Sequence, residues 1–142
     1  GMASTIICPS CNTPNTVRPD PKGRPRCSSC KARLPWMVDV LGVEEFEAEA
    51  NTPLPVVVDL WAPWCGPCRA VSPVLEKFTR DHAGNVKLIK INVDENPELS
   101  QRFQASSIPT MLVLKKGQLL DRIVGAPPGQ QLRLQLEGHL LT

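Results

Sequence analysis

The apolar positions change period several times between residue 38 and the C-terminus, and each change marks an element. Val43 to Ala50 is rich in Glu and Ala around Phe46 and predicts a short helix. Pro55 then opens Val56-Val57-Val58-Asp59-Leu60-Trp61, a continuous β-branched run that reads as a central strand buried on both faces. From Cys68 to Ala83, the residues Val71, Val74, Leu75 and Phe78 fall on one helical face, with Pro73 expected to kink the helix. Val86 to Val93 alternates as a strand. Asn96-Pro97-Glu98 supplies a cap, a first-turn proline and an acid for a helix reaching about Phe103. Thr110 to Leu114, the turn Lys116-Gly117 and Leu119 to Val124 predict an antiparallel hairpin. Leu132, Leu136 and Leu140 recur every four residues and close the chain as an amphipathic helix. A βαβ unit feeding a hairpin and a closing helix gives an α/β class, with a mixed central sheet flanked by helices on both faces.

The first 35 residues do not follow this patterning. They carry six basic residues (Arg18, Lys22, Arg24, Arg26, Lys31, Arg33) and one acid (Asp20), a formal +5, while the rest of the chain carries −3. Proline and polar residues dominate and aliphatic side chains are sparse, so this segment cannot offset its own ordering entropy and needs a staple. Pro35-Trp36 is the expected boundary, giving a small unit over 1–35 and a larger one over 36–142. Length agrees: 142 residues and 15.6 kDa suit one modest domain plus an appendage. With 42% hydrophobic and 21% charged residues the composition is globular, and a net charge of +2 advertises no global field for nucleic acid. No apolar run reaches the roughly 18 residues of a membrane span. Ile6-Ile7 stands nearly alone, so no secretory signal is expected, and Gly1 ahead of Met2 reads as an added residue.

Six cysteines fall in three pairs with two residues between: Cys8/Cys11, Cys27/Cys30 and Cys65/Cys68. A secreted disulfide framework staples distant segments, whereas repeated short pairs read as metal or redox chemistry in a reducing compartment, so the cytoplasm is the expected location. Trp61-Ala62-Pro63-Trp64-Cys65-Gly66-Pro67-Cys68 lies where the buried strand gives way to a helix. Unpaired N–H groups and a partial positive charge gather at a helix N-terminus, and both favour a thiolate at Cys65. Gly66 permits a tight turn and Pro67 presets φ for the helix. Cys68, one turn on and expected to be the more buried, would resolve a mixed disulfide formed by Cys65. The competing readings are half of a metal site or two inert thiols. Trp64 has no core to enter and is read as exposed, suited to touching substrate, with Trp61 packed beneath the site. Asp59 has only apolar neighbours and is read as buried with a raised pKa. His82 and His139 are read as ordinary surface or helix residues.

Cys8-Pro9-Ser10-Cys11, fifteen residues, then Cys27-Ser28-Ser29-Cys30 matches the two knuckles of a Cys₄ zinc ribbon. Its rivals are two disulfides, an iron–sulfur cluster, or a single iron. Four thiolates would close the shell of one structural Zn²⁺, and leave the segment at about +3. The basic side chains could meet phosphates, but no aromatic residue lies in 1–35 to stack on bases, so nucleic acid is not the favoured partner.

From about residue 38 to 142 the sequence resembles thioredoxin, with WAPWCGPC close to a signature for that family. Asp59 in the strand, Lys90 in Lys90-Ile91-Asn92-Val93-Asp94, and Ile108-Pro109-Thr110 match the family's buried aspartate, its lysine and its cis-proline loop. Gly117 fits the hairpin turn and Gly125 the glycine of the substrate groove. Together with the double CxxC, the sequence is similar to the zinc-containing, thioredoxin-2 type. The departures are the absence of tyrosine and Arg69 where lysine is common. The resemblance implies a thioredoxin fold and a redox-active Cys65–Cys68 disulfide. It implies that Asp59 relays a proton to or from Cys68, with Lys90 beside it, although a merely solvated Lys90 is an equal reading. It implies substrate contacts at Trp64, Gly66, Pro67, Ile108, Pro109 and Gly125. The implied partners are an NADPH-dependent, flavin-containing thioredoxin reductase and proteins with exposed disulfides; monomer is the expected state. The activity expected is protein-disulfide reduction. The alternative is a redox-sensing or partner-binding zinc ribbon, nucleic acid included, carried on a thioredoxin scaffold.

Overall fold

A computed structural model describes residues 4–17 and 24–141. Gly1, Arg18, Asp20 and Lys22, which entered the sequence reading, lie outside the described residues. In chain order the elements are strands β1 (Ser4–Ile7), β2 (Pro14–Val17) and β3 (Trp36–Asp39), helix α1 (Val43–Ala50), β4 (Val56–Trp61), α2 (Gly66–Asp81), β5 (Lys87–Asn92), α3 (Pro97–Arg102), β6 (Thr110–Lys115), β7 (Gln118–Val124) and α4 (Gly129–Leu140). Strands β1 and β2 form an antiparallel pair of their own. The other five make one mixed sheet in the order β3-β5-β4-β6-β7, with β3, β5 and β4 parallel and β6 and β7 antiparallel to their neighbours.

The central position of β4 follows from its composition. All six of its residues are apolar except Asp59, and side chains alternate between two separate cores. Val56, Val58 and Leu60 meet Phe46 of α1 and Leu99 of α3, while Val57 meets Val71, Leu75 and Phe78 of α2 and Leu132 and Leu136 of α4. The α4 leucines thus serve the purpose their four-residue spacing predicts. Among the described residues no helix is long and apolar enough to cross a membrane.

Three local expectations are corrected. Strand β3 was hidden by its length: Trp36, Met37, Val38 and Asp39 give only two alternations, and tertiary pairing with β5 decides the conformation. Helix α2 begins at Gly66 and runs through Pro73 as one helix to Asp81. Pro73 lies inside it and removes the hydrogen bond to the Arg69 carbonyl without ending the helix. Asn96 does not cap α3 with its side chain. Its buried amide donates to Val40 O (3.3 Å) and Asn92 O (2.9 Å) and accepts from Gly42 N (2.7 Å), tying the end of β3 to the end of β5. Backbone groups orphaned in that crossing win the side chain from the helix end.

A buried ion pair lies at the opposite end of the sheet from the cysteines. Lys87 Nζ donates to Glu49 Oε1 and Glu49 O, both at 2.7 Å, and lies 3.7 Å from the centroid of the Trp36 ring. Both side chains are almost fully buried, 1% and 3% exposed. Burial holds the Lys87 ammonium below the usual lysine range, opposed by Glu49. A lysine left there without its counter-charge is a large penalty. Glu49→Gln is therefore expected to lower the unfolding free energy by about 3–5 kcal/mol. The double variant Glu49→Met/Lys87→Met should recover much of that loss, and urea unfolding of both proteins checks it.

The N-terminal unit has a small core of Ile6, Cys8, Cys27 and Leu34. Val17 packs against this core and also against the sheet core that holds Trp36. Gly84 has φ of +87°, and an added Cβ would lie 2.5 Å from Arg33 Cδ, so the Arg33 stem rests on a place only glycine leaves open.

Candidate active site and metal centre

Strand β4 ends at Trp61, and after three intervening residues Cys65 occupies the N-cap of α2. Its Sγ accepts a hydrogen bond from the Cys68 backbone N–H at 3.2 Å, one of the donors a helix start leaves unpaired. Cys65 and Cys68 are joined in a disulfide. Cys68 is not the more buried of the two: each is 4% exposed, because the bond holds both sulfurs in one plug with Ala62 between Trp61 and Ile108. The Ile108–Pro109 bond is cis, as the resemblance implies, and Cys65 Sγ lies 3.8 Å from Ile108 O. Gly125, at φ +89°, donates from its backbone N–H to Pro109 O at 2.8 Å. Trp64 is 67% exposed, as expected, yet it is anchored by an indole N–H bond to Asp94 Oδ2 at 2.9 Å. Cys65, Cys68, Trp64, Ile108, Pro109 and Gly125 thus come together at one end of the sheet, with Gly66 and Pro67 forming the first turn of α2.

Asp59 is 2% exposed. Burial pushes its carboxyl up to about 6; the Lys90 ammonium opposes the rise, and the carboxylates of Glu76 and Asp39 add to it. Lys90 is in register with Asp59 on the adjacent strand, and its Nζ lies 5.7 Å from the Trp61 ring centroid. A cavity of about 150 Å³ is shared by Cys68, Trp61, Ser72 and Lys90. That volume holds several waters. Of the four residues expected at the site, Cys65 and Cys68 are joined, Cys68 and the half-buried Lys90 line one cavity, and Asp59 pairs in register with Lys90 without lining that cavity.

The carboxyl has a consequence for stability. The folded protein binds the Asp59 proton up to about pH 6, whereas the unfolded chain releases it near 3.8, the ordinary value of an aspartate. The native state then holds the extra proton between these values, so stability falls as pH rises through that window. Asp59→Asn is expected to remove this loss and stabilise the protein above pH 6 by on the order of 3 kcal/mol, with little gain at pH 3. Urea midpoints at both pH values measure it.

The four remaining cysteines are free thiols gathered in one cluster. All four Sγ atoms lie within 4.8 Å of one another, with Cys8–Cys30 at 3.7 Å and Cys11–Cys27 at 3.5 Å. A tetrahedron of thiolates about 2.3 Å from a metal requires sulfurs roughly 3.8 Å apart, so the donor set fits. The pair of disulfides considered from spacing is absent. The two knuckles repeat one hydrogen-bond design. Asn12 N donates to Cys8 O (2.8 Å) and Cys8 N to Thr13 O (2.9 Å), while Lys31 N donates to Cys27 O (3.0 Å) and Cys27 N to Ala32 O (2.8 Å). Asn12 and Lys31, each following the second cysteine, both adopt positive φ. The Cys30 backbone N–H, Asn15 and Ser29 N draw the Cys27 thiol down to about 6. Asn15, whose side chain also accepts from Ser28 N at 2.8 Å, is a supporting residue the sequence did not disclose. Neither histidine is near either centre: His82 bonds Glu137 (3.0 Å) and His139 bonds Asp121 (2.8 Å).

Comparison with known proteins bears on the larger unit. The Thioredoxin family profile matches residues 37–137. Thioredoxin 1 of Nostoc sp. is 46% identical over 90 residues, which span 63% of this chain and 84% of that protein. The thioredoxin of Haemophilus influenzae is 40% identical over 107 residues, spanning 73% of this chain and 100% of that one. Among solved structures, the thioredoxin of Trypanosoma brucei brucei superposes with a TM-score of 0.69 at 29% identity, covering 76% of this chain and 94% of that one. On its sheet order, its helix-capping disulfide and these matches, the chain belongs to the thioredoxin family of disulfide oxidoreductases.

Proposed function

We propose that the protein reduces disulfides in other proteins, with Cys65 as nucleophile and Cys68 as resolving thiol, and that a structural zinc ribbon of the thioredoxin-2 type precedes the catalytic domain. The observation that carries the reading is the Cys68 N–H directed at Cys65 Sγ at the start of α2. In the reduced protein that donor and the helix dipole favour the Cys65 thiolate. The thiolate attacks one sulfur of a substrate disulfide; one S–S bond breaks, one mixed S–S bond forms, and the first substrate thiolate leaves. The Cys68 thiol passes its proton to ionised Asp59 through the cavity it shares with Lys90. Cys68 then attacks Cys65 Sγ, closes the Cys65–Cys68 disulfide and releases the second substrate thiolate. The two electrons gained by substrate are those lost by the cysteine pair. An NADPH-dependent flavin reductase of the thioredoxin reductase class returns them.

Trp64, Gly66, Pro67, Ile108, Pro109 and Gly125 form the substrate platform. Ile108 O beside the disulfide supplies a backbone acceptor for an extended substrate strand. Cys8, Cys11, Cys27 and Cys30 would hold Zn²⁺, which when bound supplies cross-linking and no open position for chemistry. The division at residues 35/36 is supported by Leu34 entering the ribbon core while Trp36 enters the sheet core. Free ribbon thiols support a reducing, cytoplasmic setting, and the protein is read as a monomer. Turnover of a model protein disulfide, with reductase and NADPH, tests the activity; one zinc per chain by elemental analysis tests the metal.

The second reading, a redox-sensing or partner-binding ribbon, rests on Arg24, Arg26, Lys31 and Arg33, a basic set with no described acid between them. Binding to nucleic acid with a steep salt dependence would favour it.

A further inference from the structure

The Asp59–Lys90 pair does not stand alone. Strands β3, β5 and β4 lie side by side and parallel, and their register aligns Asp39, Lys90 and Asp59 in one row. In-register residues of parallel strands point to the same face, so the three side chains share the face covered by α2. Exposure rises along the row: Asp59 is 2% exposed, Lys90 is half-buried and Asp39 is exposed. Above the row, Cys68, Ser72 and Glu76 recur every four residues on α2 and form one stripe. Ser72 lines the cavity with Cys68 and Lys90, and its hydroxyl donates to Glu76 Oε2 at 3.1 Å. The other cation at this cavity, Arg69, is turned to Pro63 O at 2.7 Å. The row and the stripe together hold one ammonium, that of Lys90, and three carboxylates drawn from three elements.

We propose that Glu76 and Asp39 are positioning residues of the redox site, an outer pair of carboxylates on the face that carries Asp59 and Lys90, which strengthen the inner Asp59 carboxylate as the base that takes the Cys68 proton. The proposal rests on the reading of Asp59 as proton relay to Cys68. The charges that face Asp59 are Lys90 from β5, Asp39 from β3 and Glu76 from α2; the first favours its ionised form and the other two oppose it. With strands about 4.8 Å apart, Asp39 and Asp59 are separated by about 10 Å across Lys90, about the screening length in 0.1 M salt, so the charge of exposed Asp39 still reaches the buried carboxyl and does so more weakly than that of Glu76. The working pH of the relay is then set by residues that touch neither cysteine.

The test is a carbon-13 titration of the Asp59 carboxyl in the full-length disulfide form, alongside the pH profile of disulfide reduction. Glu76→Gln and Asp39→Asn are each expected to lower the Asp59 midpoint by about 0.3 to 1 pH unit, and the double variant by more. Glu76→Asp and Asp39→Glu, which keep the charge, should stay near the parent value. Midpoints that do not move, that rise, or that move equally in charge-keeping and charge-removing variants overturn the proposal. Asp59→Asn separates this from the relay reading. If it leaves the pH profile of reduction unchanged, the relay fails, while the carboxyl midpoints still judge the outer pair on their own.

Discussion

Cys65→Ser is expected to bring disulfide reduction down to the uncatalysed background, a loss of at least about a thousandfold. The reason is chemical before it is structural. The reacting species is an ionised sulfur, and each pKa unit by which the helix start lowers a thiol multiplies its ionised fraction nearly tenfold at neutral pH. A serine hydroxyl in the same place stays protonated and cannot form the mixed disulfide. The N-cap geometry itself should survive, because a serine oxygen accepts the Cys68 N–H at least as well as sulfur does. The fold is thus retained and only the nucleophile is lost. Cys68→Ser should behave differently: Cys65 still attacks, nothing resolves the adduct, and a stable one-to-one mixed disulfide with substrate accumulates. Non-reducing electrophoresis with intact-mass measurement distinguishes the two variants. Turnover by Cys65→Ser near the parent rate, or no trapped adduct with Cys68→Ser, would contradict the assigned order of attack.

Stripping metal from the N-terminal unit is expected to unfold it while leaving the catalytic domain folded. Four buried apolar residues, two of them cysteines, are too few to order residues 4–17 and 24–34. A four-thiolate metal site contributes roughly 10–16 kcal/mol in small peptides, enough to supply the shortfall. A chelator under reducing conditions should therefore abolish hydrogen-exchange protection at Cys8, Asn12, Cys27 and Lys31, the knuckle amides. Amides of β4, β5 and β6 should remain protected, since the sheet core is complete without the ribbon apart from the flank where Val17 packs. Protected knuckle amides in metal-free protein would show that side-chain packing, not a metal, orders this unit.

Much of this architecture was legible in the amino-acid sequence because local and tertiary preferences agree there. The run Val56–Trp61 has one conformation open to it, and the four-residue recurrence of Leu132, Leu136 and Leu140 has one face. The cysteine spacings carried both centres, since two residues between ligands is the geometry a knuckle and a helix start each require. Illegible features were those fixed by non-local partners. Strand β3 exists because β5 accepts it, and its four residues show too little alternation to announce themselves. Asn96 looks like a cap in sequence and acts as a bridge because Gly42 and Val40 arrive from 54 and 56 positions away. The Lys87–Glu49 pair gave no signal, as a lysine at a strand start and a glutamate in a Glu-rich helix ordinarily face water. Equal burial of Cys65 and Cys68 reflects the oxidised pair, a state that residue order does not encode.

Disulfide reduction by this site requires the start of α2 to keep the Cys65 sulfur ionised once the Cys65–Cys68 bond is reduced. Titration of that sulfur by ultraviolet thiolate absorbance, with Cys68 replaced by serine and the ribbon thiols held by metal, tests it most directly. The expected midpoint lies well below the roughly 8.5 of a free cysteine and is matched by rapid alkylation at neutral pH. A midpoint at or above that of a free cysteine, with slow alkylation, would contradict it.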